Sequence, residues 1–340
     1  MIKSSTPPYK FDWFDWFCLW YPPGWLIIFN RHWQHYHEDP DGWNWLEYVL
    51  FLIPGGFYLA FFMRWLRLGC CLPSQETNKF DPDYQEAFCH EVLKPIVEVY
   101  FQAELHSEEN LPENESLLVI MNHAGMSFPW DFLSLAYLLN QKRQWKIKPL
   151  AGVSLFEHSW MKWWLPLGWS QVLGGVRAKS KDFEAAVAEK NVLVYAPEGL
   201  RGPMKGWPKR YQLQTFHPSF VQLCDRYSVP ILPVACIGNE FLHPWAIHSQ
   251  KLANLLSMPF LPLSFGMIAL ILFPSMGVWA MKTKLRYYVQ HLVQPNLEEQ
   301  VNTQNKQLAV RSSQRRSKAY QKAQQFREKL QLAINQQLED

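Results

Sequence analysis

Between residues 80 and 295, short apolar runs alternate with longer stretches of helical period, and this alternation narrows the possible folds more than any other feature of the chain. Asp81-Pro82 opens a helix, with Asp as cap and Pro in the first turn. Residues 117–121 (LLVIM) read as a buried strand, 132–140 as a helix, and 146–151 and 171–175 as strands. Residues 180–190 are helical, with Phe183, Ala186 and Val187 on one face. A strand at 192–195, a helix at 216–227 and strands at 231–237 and 285–292 complete the series. Such a pattern predicts an α/β domain, a mostly parallel sheet flanked by helices.

The flanks differ from this domain. Residues 1–75 are aromatic and apolar, with Trp13, Trp16, Trp20, Trp25, Trp33, Trp43 and Trp45 among them. Rings with one apolar and one polar end collect at membrane–water boundaries. Residues 49–63 carry no charge, but fifteen residues interrupted by Pro54-Gly55-Gly56 fall short of the roughly 20 needed to span a bilayer. Extended to Trp45–Leu72 the stretch could span but would hold Glu47, Arg64 and Arg67; a membrane-associated helix hairpin returning at Pro54-Gly55-Gly56 fits as well. Residues 255–281 are 27 residues without a charge, broken by Pro259, Pro262 and Pro274. We expect an apolar, proline-bent surface segment there. In the polar stretch 297–340, Ala319, Ala323, Phe326, Leu330, Ile334 and Leu338 recur at helical spacing, which predicts a terminal helix docked on the domain.

Composition excludes some functions. A net charge of +3 with no basic stripe in the core region is too mild for a nucleic-acid binder. Cys18, Cys70, Cys71, Cys89, Cys224 and Cys236 form neither a CxxC pair nor a zinc spacing, and read as free thiols of a reducing compartment. The N-terminal MIKSSTPPYKFDWFDW lacks the basic-then-apolar order of a cleaved signal peptide. Three histidines and two acids in Arg31–Asp39 offer a metal set on paper, but an interfacial polar loop is the preferred reading, and no metal is expected.

Two constellations carry chemistry. Asn122-His123 follows the LLVIM strand directly, and α/β sheets place their sites at the C-terminal ends of strands. A histidine there can take a proton from a hydroxyl, provided a carboxylate fixes its other nitrogen. Asp131 is the only carboxylate between Glu115 and Glu157. It is the local candidate, although it equally fits the cap of a helix starting at Phe132. Second, Pro197-Glu198-Gly199-Leu200-Arg201-Gly202 follows the 192–195 strand, where a glycine turn exposes backbone N–H groups and arginine can grip phosphate. In the stretch from Pro230 to Pro233, leading into Gly238-Asn239-Glu240, a proline at the strand start is an edge or entry signal, but plain strand packing in a supporting role is the better reading.

In this order the blocks resemble the glycerolipid acyltransferase family, the bacterial lysophosphatidate acyltransferases and their relatives, from about Val97 to Pro295. The lead-in is Glu109-Asn110-Leu111-Pro112; Asn122-His123 and Asp131 match the catalytic block. Gly174-Gly175-Val176-Arg177 sits at the acceptor-binding block, Pro197-Glu198-Gly199 with Arg201 at the phosphate-binding block, and Pro230 to Pro233 at the fourth. Seven residues separate His123 from Asp131, a longer loop than the family's usual one, which is similar to a divergent branch.

The resemblance implies an O-acyltransferase in which His123 is the base, Asp131 orients it, and Asn122, Gly175, Arg177, Glu198, Gly199 and Arg201 bind substrate. It implies an acyl-CoA or acyl-carrier-protein donor, no cofactor, and a lysophosphatidate-like acceptor. The alternatives are a neutral acceptor, diacylglycerol or a long-chain alcohol, and a non-catalytic membrane adaptor. Expected partners are membrane lipids, including anionic ones met by Lys205, Lys209 and Arg210, with the site on the cytoplasmic side. The expected division is 1–75 as membrane-associated region, 80–295 as acyltransferase domain and 297–340 as C-terminal helix.

Overall fold

The computed structural model describes residues 6–73, 79–113, 116–124, 128–151, 163–166, 168–177, 180–245, 247–255, 262–263, 267–295 and 308–339. Helices α1 (Trp13–Trp20), α2 (Trp25–Tyr36), α3 (Trp45–Phe51) and α4 (Gly56–Arg67) build the N-terminal region. Capping boxes start α1 at Asp12 with Asp15 and α3 at Asn44 with Glu47. The hairpin between α3 and α4 turns where expected. Gly55 there takes φ +73°, a conformation that costs a glycine nothing and a side-chain residue much more. Helix α5 (Pro82–Phe88) begins at the Asp81 cap and runs on through π turns Cys89–Leu93 and Pro95–Tyr100.

The strands are β1 (Glu104–His106), β2 (Leu118–Met121), β3 (Ile147–Ala151), β4 (Val176–Arg177), β5 (Val192–Tyr195), β6 (Ile231–Ile237), β7 (Ile247–His248), β8 (Pro262–Leu263) and β9 (Arg286–Val289). Among the described residues, seven form one sheet in the order β1-β9-β6-β2-β5-β3-β4, and β7 and β8 form a separate pair. Every pairing in the large sheet is parallel except β6 with β9. The remaining helices are α6 (Trp130–Arg143), α7 (Trp169–Val172), α8 (Ser180–Ala188), α9 (Arg201–Met204), α10 (Ser219–Tyr227), α11 (Gln250–Leu255), α12 (Met267–Leu272) and α13 (Leu308–Glu339).

Strand β2 shows how the layers assemble. Its side chains alternate: Val119 and Met121 enter one apolar cluster, Leu118 and Ile120 another. The first cluster joins the sheet to α2, α6 and the aromatic N-terminal helices; the second joins it to α8, α10 and α13. The sheet is thus covered on both faces, as parallel sheets require. The N-terminal helices share their core with the sheet: Trp25 packs edge-on to Trp130 at 5.0 Å and Phe29 stacks on Phe128 at 5.7 Å.

Several expectations need correction. Residues 171–175 are not a strand; α7 and a turn occupy them and the strand follows at Val176–Arg177. Strand β6, by contrast, packs within the sheet as expected, between β9 and β2, with Pro233 inside it. Pro233 donates nothing to the ladder, but its carbonyl accepts the Gln290 N–H at 2.9 Å, just beyond β9. Arg31–Asp39 is no interfacial loop either, for α2 runs to Tyr36 and His32 is wholly buried. On α13, Ala319, Ala323, Phe326, Leu330 and Ile334 are buried as expected, but Leu338 has run past the domain and is exposed. Of residues 255–281, those at 256–261 and 264–266 lie outside the described residues; the remainder is broken into short pieces at the prolines. No described helix is long and apolar enough to cross a membrane.

Candidate active site

Strand β2 ends at the middle of the sheet and hands the chain to Asn122 and His123. The Asn122 side chain is buried and clamps the neighbouring strand. Its amide donates to the Cys236 carbonyl at 2.8 Å and its oxygen accepts the Cys236 N–H at 2.7 Å. Both polar ends are consumed, so Asn122 fixes the mouth of the β2–β6 pair instead of facing an acceptor.

Asp131 sits in the first turn of α6, not at its cap: the helix starts at Trp130. His123 Nδ1 donates to both carboxylate oxygens, at 3.0 and 2.9 Å. The seven-residue gap therefore closes; Gly125-Met126-Ser127 within it lie outside the described residues. Further donors hold the carboxylate: the N–H groups of Phe132 at 3.0 Å and Ala124 at 3.3 Å, and the Asn239 amide at 3.5 Å. Tyr287 donates to the Asp131 backbone carbonyl at 2.7 Å, and Trp130 Nε1 to that of Val278 at 2.8 Å. Asp131 is fully buried while the His123 side chain keeps 17% of its surface exposed.

Charge follows from this packing. Burial alone would push the Asp131 carboxyl up, but the adjacent imidazole and its hydrogen bond hold it below the ordinary carboxylate value. Burial alone would push His123 down, yet Asp131, aided by the more distant Glu198, raises it. The result is a histidine whose Nδ1 is committed to a carboxylate. Among the described residues its Nε2 makes no hydrogen bond.

The turn after β5 brings Glu198 to the same place. Gly199 takes φ +56°. Glu198 is buried; its Oε2 accepts the Gln214 N–H at 2.7 Å, and its Oε1 has no partner among the described residues. Burial raises this carboxyl. Gly202 packs beneath His123 so closely that a Cβ there would lie 2.4 Å from the His123 carbonyl oxygen. Arg201 is exposed, with Nη1 donating to the Thr215 carbonyl at 3.4 Å. Lys205 is not part of a basic rim, because its side chain is buried in an ion pair with Glu240 at 2.6 Å. Lys209 and Arg210 are exposed.

Gly175 and Arg177 are not brought to the pair. Gly175 precedes β4, Arg177 lies on it, and β5 and β3 stand between β4 and β2. Residue-by-residue reading gave the stretch leading into Asn239 and Glu240 only a general supporting role and assigned none to Gly202 or Tyr287. Asn239 and Glu240 were accessible to the rule that β6, like β2, should end at the site. Tyr287 and Gly202 act through tertiary contacts that leave no pattern in the sequence. In the N-terminal histidine group, His32 Nε2 meets Glu91 at 2.8 Å, His35 Nε2 meets the Pro7 carbonyl at 2.7 Å, and His37 stacks on Trp33 at 3.8 Å. Among the described residues no group of three or more metal-type side chains gathers anywhere.

Known proteins can be compared with this geometry. Uncharacterized proteins of Mycobacterium tuberculosis and Mycobacterium bovis are 28% identical over 206 residues, 58% of this chain and 55% of theirs. One from Mycobacterium leprae is 28% identical over 190 residues, 54% of this chain and 50% of its own. The chain thus spans about half the length of the curated relatives it matches. A solved structure, the 1-acyl-sn-glycerophosphate acyltransferase PlsC of Thermotoga maritima, aligns with 89% of this chain and 95% of its own, at 14% identity and a TM-score of 0.39. The family model described as Acyltransferase matches residues 102–237, from the lead-in to β1 to the end of β6. The residues that this model matches hold His123, Asp131 and Glu198, so it is to the acyltransferase family that residues 102–237 are similar.

Proposed function

We propose that the chain moves a fatty acyl group from an acyl thioester to a hydroxyl of a glycerolipid, with a lysophosphatidate-like lysophospholipid as acceptor. The observation that carries this reading is the His123–Asp131 contact at the end of the central strand, with the far side of the imidazole left for substrate. His123 Nε2 takes the proton of the acceptor hydroxyl, and the oxygen attacks the thioester carbonyl carbon to form the new C–O bond. The tetrahedral intermediate collapses, the C–S bond breaks, and the imidazolium returns its proton to the departing sulfur. These steps balance without a cofactor, and the donor is acyl-CoA or an acyl-carrier protein. Asp131 holds the imidazole in the tautomer that exposes Nε2 as base and steadies the imidazolium as it forms. Glu198, Gly199 and Arg201 hold the acceptor head, with Arg201 as the phosphate contact.

A second reading, a neutral acceptor on the same scaffold, is favoured by one observation. Glu198 keeps a buried, unpartnered oxygen near His123 while Lys205 is spent on Glu240, and a carboxylate so placed suits an acceptor hydroxyl better than a phosphate. The molecule is proposed to lie on a membrane with the site on the cytoplasmic side, since acceptor and product both partition there. Labelled acyl-CoA offered to the purified protein with lysophosphatidate, other lysophospholipids and diacylglycerol tests these readings. Transfer to lysophosphatidate that disappears in His123→Ala and weakens in Arg201→Ala supports the first. Transfer to diacylglycerol indifferent to Arg201→Ala supports the second. Full activity in His123→Ala would sink the mechanism.

A further inference from the structure

Beside the site stands an aromatic platform that the transfer steps leave unused. Trp207, in the turn Trp207–Lys209, meets Phe241 edge-on at 5.3 Å and Trp245 at 5.9 Å. The Arg210 guanidinium lies over the Trp207 ring at 5.0 Å. Phe241 and Trp245 are 45% and 58% exposed, so they gain little from the core. Trp245 moreover holds φ at +55°, a left-handed conformation that is an outlier for a bulky residue. Strain of this kind, without burial to compensate it, points from the outlier to a function.

The platform is tied to the catalytic pair at short range. Glu240, next to Phe241, pairs with Lys205, two residues before Trp207, at 2.6 Å. Asn239 in the same turn donates to Asp131. Lys209 and Arg210 are exposed and have no carboxylate partner among the described residues.

Exposed rings beside cations that no described carboxylate neutralises suit a ligand that is itself a flat ring bearing phosphates. We propose that Trp207, Phe241 and Trp245, with Lys209 and Arg210, bind the nucleotide end of an acyl-CoA donor. The adenine stacks on the rings and its phosphates meet the two cations. This rests on the acyl-transfer reading and deepens it: the donor is selected as a nucleotide thioester.

The full-length chain is titrated calorimetrically with adenosine 3′,5′-bisphosphate, which carries the nucleotide end and no thioester. Trp245→Ala and Arg210→Ala should each weaken its binding about tenfold, the loss expected for one stacking or charge contact. The same variants should lower kcat/KM for acyl-CoA relative to acyl-pantetheine by a similar factor. Lys329→Ala on α13 serves as the charge control and should change neither reading. Wild type that does not bind the bisphosphate, or variants that bind it equally well, would overturn the proposal. Loss of binding to anionic vesicles in Trp245→Ala, with nucleotide binding intact, would overturn it in favour of a lipid-surface patch. A preference for acyl-carrier protein unaffected by the bisphosphate would overturn it in favour of a protein donor. Bisphosphate binding that falls in both variants, in a protein that transfers from no thioester, would keep the nucleotide site and remove the acyl-transfer reading.

Discussion

Asp131 is where the residue-scale arguments converge. It is buried without a formal cation of its own and receives His123, two backbone N–H groups and the Asn239 amide. Asp131→Asn keeps the volume and some of these contacts but cannot stabilise an imidazolium or dictate the tautomer. We expect kcat to fall roughly 10³- to 10⁴-fold with the fold retained, measured as single-turnover acyl transfer alongside circular dichroism. Activity within a few-fold of wild type would mean that the carboxylate only stabilises the start of α6. The pH dependence has a definite sign. His123 must be neutral to act as base, and Asp131 raises its pKa. Turnover should therefore fall as pH drops through a value above the usual ~6.5 of histidine, and this acid limb should move to lower pH in Asp131→Asn. Stability follows the same pair. The raised histidine contributes stability present below ~6.5 and lost as pH rises through its folded value. The lowered aspartate contributes stability present above ~3.9 and lost as pH falls through its folded value. The difference in urea midpoint between wild type and His123→Ala should thus be greatest between these two values.

At the scale of elements, the long His-to-Asp connection has a physical purpose. It carries Phe128 and Trp130 into the aromatic groove of α2, where Trp25 and Phe29 meet them and Trp169 closes the stack at 5.5 Å from Phe29. The N-terminal helix therefore helps to set the position of Asp131, one residue beyond Trp130. Phe29→Leu should cost about 1–1.5 kcal/mol of stability as a shape change in a packed core. It should also lower kcat several-fold with KM little changed, because it loosens the carboxylate rather than the substrate. A kcat equal to wild type would show that α2 only covers the sheet. The sequence made the strands LLVIM, VLVY and ILPVACI and the Asp81 helix cap legible, since each rests on local periodicity or a single side chain. The His123–Asp131 pair was legible too, because one histidine followed a strand and one carboxylate followed it. What stayed hidden was cross-chain contact. Asn122 reads as a substrate ligand until Cys236 is found opposite it. Lys205 reads as a surface cation until Glu240 is found beside it, and 171–175 reads as a strand because four of its residues are apolar or small.

For the molecule as a whole, the proposed membrane attachment needs a face able to meet lipid. Trp13, Trp16, Phe17 and Trp20 are exposed on α1, Trp45 and Leu46 on α3, Leu59, Phe62 and Leu66 on α4, and Ile271 and Leu272 on α12. Contacts join these elements. Phe14 packs on Trp45 at 4.9 Å, Tyr21 on Phe273 at 6.4 Å, Gly55 donates to the Leu272 carbonyl at 2.7 Å, and Tyr58 to that of Ile271 at 2.8 Å. An exposed apolar surface formed by adjoining elements, with Lys282 4.9 Å over the Trp20 ring, has the composition of an interfacial docking face. Trp13 is 77% exposed and Trp45 58%, so both can enter the headgroup region without unfolding anything, and their loss removes little from the core. Burying a large apolar side chain is worth about 1.5–3 kcal/mol, so partial insertion of two indoles should change partitioning by at least about tenfold. The double variant Trp13→Ala, Trp45→Ala should therefore sediment at least about tenfold less well with phospholipid vesicles while keeping its thermal midpoint and its transfer to a water-soluble short-chain acceptor. Unchanged sedimentation would move the docking face elsewhere. A fall in transfer to the soluble acceptor would instead give α1 and α3 a share in shaping the site, through the core that α2 and the sheet hold in common.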